Sequence, residues 1–262
     1  MKSILLFCLS AVLVVVHAGD IASAEDKFFD SNGVKIHYMI EGEGEPVLLI
    51  HGFSANYAAN WVMPGVVKAL SADYQVIAID NRGHGKSGKP HDPKQYGKEM
   101  IEDAVRLLDH LNIDRAHIVG YSMGGFITNK LRAEYPDRFL TATLGGAGWS
   151  KDGEPTEALM GDLAVSLEQG KGMGPLIVAL TPPGQPAPSE AEIAATNQLV
   201  MAMNDPKALA AVIRGMKDLQ IPQEQIEAND VPTLALIGEI DPLKSGVELL
   251  QGVMPNLDVV VI

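Results

Sequence analysis

Residues 115–125 read RAHIVGYSMGG, and this stretch decides the fold. Ala116 to Tyr121 form an apolar run of the kind that suits a strand buried on both faces. Gly120-Tyr121-Ser122-Met123-Gly124 follows at its end, a G-x-S-x-G, and MGGFITNKLRAEYPDRF then has a helical pattern that stops before Pro136. A serine between a buried strand and a helix sits on a strained turn. Only glycine on either side lets the neighbouring backbone come close enough. The turn lifts the hydroxyl out of the sheet, and the helix N-terminus favours negative charge developing beside it. Ser122 is therefore a candidate nucleophile.

Working outward, the same strand design recurs in PVLLIHG (46–52), YQVIAIDNRGHG (74–85), FLTATLGGA (139–147), VPTLALIGEID (231–241) and LDVVVI (257–262). VKIHYMI supplies an earlier strand, Val34 to Ile40. Between the strands, GKEMIEDAVRLLDHLNI places Met100, Ile101, Ala104, Leu107, Leu108 and Leu111 on one helical face. Buried strands alternating with helices predict an α/β fold, with a mostly parallel central sheet flanked by helices. From Trp149 to about Asn229 the rhythm changes. No clear strand is present, and the proline-rich TPPGQPAPSEAE leads into SEAEIAATNQLVMAM, with a serine N-cap and a glutamate three places on. The expected division is a leader (1–24), a first core segment (25–148), an inserted helical cap (149–229) and a second core segment (230–262).

The leader is read from Lys2, the apolar run Ile4 to Val16 and the small residues Ala22 to Ala24. This is the pattern of a secretory signal peptide, with cleavage after Ala24, or alternatively after Ala18. It implies a secreted or periplasmic protein with no membrane span after signal removal. The single cysteine, Cys8, lies inside that run, so the mature chain has neither disulfides nor thiolate metal sites. A net charge of −13 argues against nucleic acid or an anionic membrane as partner. A small acyl molecule is the partner expected, and the oligomeric state is left open.

A serine that attacks an ester-like carbonyl generates an oxyanion, which needs two preorganised donors. Met123, immediately after the nucleophile, offers one N–H. Phe53, in the loop of LIHGFSAN, offers the other, with Gly52 allowing the tight turn. His51 reads as a brace for this loop. Asp80 and His84 of DNRGHGKS read as groups that fix the backbone of their own loop. Asp241, just past a buried strand in LALIGEIDPL, is the candidate acid, with Glu239 as the nearby alternative and a capping role ahead of LKSGVELLQ as a second use. The methionines 160, 173, 201, 203 and 216 read either as an adaptable roof over a pocket or as ordinary core.

On HGF (51–53), DNRGHGKS (80–87), GYSMGG (120–125) and GEIDP (238–242), the chain resembles the α/β-hydrolase fold family, in its serine branch with a helical cap. The resemblance spans nearly all of residues 27–262. It implies a nucleophile–histidine–acid triad and no metal or organic cofactor. Ser122 departs from relatives with an aspartate nucleophile, so dehalogenation and epoxide opening are not expected. The family places its histidine after the last strand, and no histidine follows Asp241 here. Either the sequence is incomplete before that histidine, or the chain ends without its base. The expected function is a serine hydrolase of esters, thioesters or related acyl bonds whose base lies just beyond Ile262, the 262 residues alone being a very poor catalyst. The alternative is a non-catalytic small-molecule-binding protein on a hydrolase scaffold. His51 or His84 would have to serve if a base is already present.

Overall fold

The structure is a computed structural model that describes residues 26–151 and 156–262; the leader expected over 1–24 lies outside these residues. The strands are β1 (Lys27–Ser31), β2 (Val34–Glu41), β3 (Glu45–Ile50), β4 (Tyr74–Ile79), β5 (Ala116–Tyr121), β6 (Phe139–Gly145), β7 (Thr233–Ile237) and β8 (Leu257–Val261). They form one sheet in the order β1-β2-β4-β3-β5-β6-β7-β8. The pairs β1–β2 and β2–β4 are antiparallel and the rest are parallel. The mostly parallel sheet read from the sequence is the observed one. The strand missed there is β1. Its signal was the dipeptide Asn32-Gly33, whose two positive φ values, 55° and 82°, make the tight hairpin turn into β2.

Period-two alternation distributes the core. Leu48, Ile50, Ile77 and Ile79 face the side covered by α2 (Lys98–His110) and α3 (Met123–Glu134). Val47, Leu49, Val76 and Ala78 face the other side, with Trp61 and Val67, the latter from α1 (Val66–Leu70). Each face is apolar because helices cover both. The stripe on α2 is buried as expected, but it also carries Asp103, 2% exposed. That carboxylate takes a bidentate pair of bonds from the fully buried Arg82, at 2.6 and 2.5 Å.

The insertion is all helical among its described residues: α4 (Thr156–Glu168), α5 (Gly174–Ala179), α6 (Glu190–Met203), α7 (Pro206–Gly215) and α8 (Gln223–Glu227). Ser189 and Glu192 form the expected capping box on α6. Leu163, Leu167, Met173, Val200, Leu209 and Ile213 make its own small core. Met160, Met201 and Met216 pack against that core, whereas Met203 is 69% exposed, so the five methionines do not share one role.

The reading of LDVVVI as a buried strand needs correction. β8 is an edge strand paired only with β7 among the described residues. Leu257 and Val259 pack toward α9 (Lys244–Val253), while Asp258 and Val260 face outward and are exposed. A β-branched run is shared by central and edge strands, so composition alone does not separate them. Among the described residues no helix is long and apolar enough to cross a membrane.

β4 lies to one side of β3 and β5 to the other, so the connections leaving β3 and β5 diverge. In open α/β sheets the crevice at such a switch point, beyond the carboxyl ends of the strands, is where ligands bind. Ile50 pairs with Gly120 across this point, which levels the two strand ends. Two glycines with opposite demands test the packing. A Cβ on Gly33 would meet nothing within 4 Å, whereas one on Gly124 would overlap the Ile50 carbonyl oxygen. Gly33→Ala should cost about 1 to 3 kcal/mol through backbone strain alone. Gly124→Ala should cost more or prevent soluble expression. Urea midpoints of the two variants, measured side by side, check this ordering.

Candidate active site

At the end of β5, Ser122 has φ 52° and ψ −118°, a conformation costly for a non-glycine residue. It persists because both flanks are tied. The Ser122 N–H donates to Gly145 O at 2.8 Å, and the Ser122 carbonyl accepts from the N–H groups of Gly125 and Phe126. A Cβ on Gly120 would overlap the Gly124 carbonyl, so the turn closes only with glycine at both positions. The Ser122 side chain is partly exposed and makes no hydrogen bond among the described residues. Met123 opens α3, so its N–H has no partner within the helix.

The loop after β3 packs directly on this turn. A Cβ on Gly52 would lie 3.3 Å from the Ser122 Cβ. The Gly52 N–H donates to Asn60 Oδ1 at 2.8 Å, and Asn81 Nδ2 donates to the His51 carbonyl at 3.0 Å. His51 is fully buried. Its Nδ1 lies 2.7 Å from Gly52 O, and its Nε2 accepts from the Asn81 N–H at 3.0 Å. A carbonyl can only accept and an N–H can only donate, so His51 is the neutral Nδ1–H tautomer with both nitrogens occupied. Burial holds it below the usual imidazole range, against the opposing pull of Asp80. With its neighbours fixed in this way, Phe53 has an N–H with no other partner among the described residues. Its ring touches both the main core and the cap core.

Asp80, 2% exposed at the end of β4, accepts from the Tyr57 N–H (2.9 Å), the Lys86 N–H (2.9 Å) and His37 Nδ1 (2.8 Å). Burial raises its pKa, but these partners together with His51 hold it below the ordinary carboxylate value. It therefore fixes two loops, as the reading of DNRGHGKS supposed. His37, which bridges Asp80 and Asp26, was not singled out from the sequence; a lone histidine in a strand gives no such signal. His84 donates from Nδ1 to Arg82 O at 3.1 Å and sits edge-on to His51 and Phe53. Its buried Nε2 has no partner among the described residues. Burial, and then the neighbouring His51, push it down to about 3.

Asp241 follows β7. Its Oδ1 accepts from the Leu243 N–H at 2.8 Å, capping the turn into α9, while Oδ2 has no partner among the described residues. A Cβ on Gly146 would sit 3.9 Å from that Oδ2 and 3.2 Å from the Tyr121 ring, which places the free oxygen beside the residue preceding Ser122. Glu239 is exposed, and its N–H is engaged with Ile262 O. Ser122, Met123, Phe53 and Asp241 thus all lie just beyond the carboxyl ends of β3, β5 and β7. None of the six described histidines bonds to Ser122 or Asp241: His91 pairs with Asp205, His110 stacks on Phe29, and His117 lies at the start of β5 with Thr141 and Glu45.

A family model described as the alpha/beta hydrolase fold matches residues 45–171. A hydrolase from Pseudomonas aeruginosa PA01 superposes with a TM-score of 0.74 at 22% identity, covering 92% of this chain and 91% of that one. The chain has the α/β-hydrolase fold. An enol-lactonase from Burkholderia xenovorans LB400 superposes on this α/β-hydrolase fold at a TM-score of 0.73 and 20% identity, covering 90% of this chain and 91% of that one. In sequence, the chain is 35% identical over 127 residues to the dihydrolipoyllysine-residue acetyltransferase component of the acetoin cleaving system of Cupriavidus necator. That match covers 47% of this chain and 32% of the relative.

The refusal of His84 to take a proton has a measurable consequence. Its folded value of about 3 lies below the ordinary 6.5. Between those values the unfolded chain binds a proton that the folded chain does not, so stability rises with pH across that window. The slope from this group reaches up to about 1.4 kcal/mol per pH unit. His84→Asn, which can keep a donor toward Arg82 O, should flatten the loss of stability between about pH 6.5 and pH 4. Urea midpoints across this range test it, and parallel curves for the two proteins would reject it.

Proposed function

We propose that this α/β-hydrolase cleaves an ester, thioester or related acyl bond by nucleophilic catalysis. The observation that carries the reading is the strained Ser122 turn flanked by two available N–H groups, Met123 at the helix start and Phe53 in a loop braced on every side. Ser122 Oγ attacks the carbonyl carbon and the two N–H groups receive the developing oxyanion. The leaving group departs with a proton, and water then releases the acid from the acyl-serine. The enol-lactonase among the structural neighbours supports an ester-like substrate.

The base in this proposal is a histidine from sequence following Ile262, oriented by the free Oδ2 of Asp241. The course of β8 supports that placement. The strand runs parallel to β7, the Ile262 N–H donates to Ile237 O, and Ile262 O accepts from Glu239 N–H. These bonds hold Ile262 against the segment that leads from β7 to Asp241. Without an imidazole the Ser122 hydroxyl stays protonated and weakly nucleophilic. A second reading is a protein that binds an acyl molecule without turnover. In either case we propose an exported protein with a small-molecule partner, and N-terminal sequencing of secreted material should begin at Glu25.

Hydrolysis of p-nitrophenyl butyrate by the complete gene product separates the readings. Ser122→Ala should lower kcat by roughly 10⁴- to 10⁶-fold with the fold intact, and Asp241→Asn by roughly 10⁴-fold. Unchanged turnover in Ser122→Ala would reject Ser122 as nucleophile. Saturable binding of the ester with no turnover in the unaltered protein would establish the second reading.

A further inference from the structure

A cavity of about 810 Å³ opens between the middle of α3, the segment leaving β6 and the return from the cap. Phe126, Trp149, Met160 and Ile213 give it apolar walls, and Ser122, Phe53 and Asp241 are not among its lining residues. Asn129, 2% exposed, borders it from α3. Asn129 Oδ1 accepts from Arg132 Nε at 2.8 Å. A guanidinium has only donors, so the carbonyl end of this amide must face Arg132 and the NH₂ end must face away. That Nδ2 has no hydrogen-bond partner among the described residues, yet it is not sealed from solvent-sized space as the fully buried orphan atoms are.

The group behind it is unusual. Arg132 is fully buried, and its remaining partner is the neutral Asn229 Oδ1 at 2.9 Å. Its Nη2 is unpartnered, and no carboxylate pairs with it among the described residues. Burial pushes it down to about 10, which leaves it charged at neutral pH. A buried cation ordinarily sits against a carboxylate. Here its field is relayed through the Asn129 amide, and a polarised amide is a stronger donor on its far side. The rim adds Lys94 and Lys217 against Glu157 and Asp218, with Arg214 already paired to Glu168.

We propose that this cavity is a second small-molecule site, which takes an organic carboxylate with its apolar body against Phe126 and Trp149 and its carboxylate on Asn129 Nδ2. The site stands independently of the role given to Ser122. Hexanoate is the probe, followed by calorimetry and by the fluorescence of Trp149 in the Trp61→Phe background. Saturable binding is expected, unchanged in Ser122→Ala, with hexan-1-ol at least ~10-fold weaker. Asn129→Asp gives Arg132 a partner and turns a negative charge to the cavity, so it should weaken hexanoate at least ~10-fold, about 1.4 kcal/mol. Gly161→Phe provides a second variant: a Cβ there meets nothing within 4 Å, and the ring should fill the cavity and abolish binding with the fold retained. No saturable binding, equal affinity in Asn129→Asp and Gly161→Phe, or equal affinity for hexan-1-ol would overturn the proposal.

Discussion

The close approach of the α3 N-terminus to the end of β3 is the constraint on which the rest depends. A Cβ on Gly124 would overlap the Ile50 carbonyl, and one on Gly120 would overlap Gly124. Only with both glycines can β5 turn into α3 within one residue, and that residue is Ser122. The positive φ of Ser122 then costs on the order of 1 to 3 kcal/mol, stored where it raises the hydroxyl above the sheet. The same proximity sets the loop after β3 against the turn, with Gly52 packed directly on Ser122.

Polar groups that could have been catalytic are spent on holding that loop still. His51 uses both ring nitrogens, Asn81 and Asn60 take its backbone groups, and Asp80 ties down the two neighbouring loops. Preorganised donors act without reorganisation during reaction, which is the advantage such bracing confers. The cap joins the same arrangement. Phe53 packs into both cores, and Asn204 of the cap donates to the Ser54 carbonyl at 3.1 Å, so the cap is tied to the loop after β3.

Much of this was legible in the sequence because short-range rules dominate it. The apolar runs, most of them closed by a glycine-containing turn, marked seven of the eight strands, the Ser189–Glu192 spacing marked α6, and the glycines around Ser122 marked the turn. What could not be read depends on partners distant in sequence. Asp103 looks like a solvent-facing break in an apolar stripe until Arg82 is placed beneath it. His37 acquires meaning only from Asp80, 43 residues away. The edge position of β8, and the uncompensated Arg132 behind Asn129, likewise follow from topology and not from residue type.

Mass spectrometry of the fluorophosphonate-treated complete gene product tests the central claim, that the glycine-framed turn makes Ser122 the nucleophile, most directly. A single adduct on the peptide containing Ser122, absent after prior unfolding in urea, is the expected result. An adduct on another residue, or equal labelling of Ser122 in folded and unfolded protein, would contradict it.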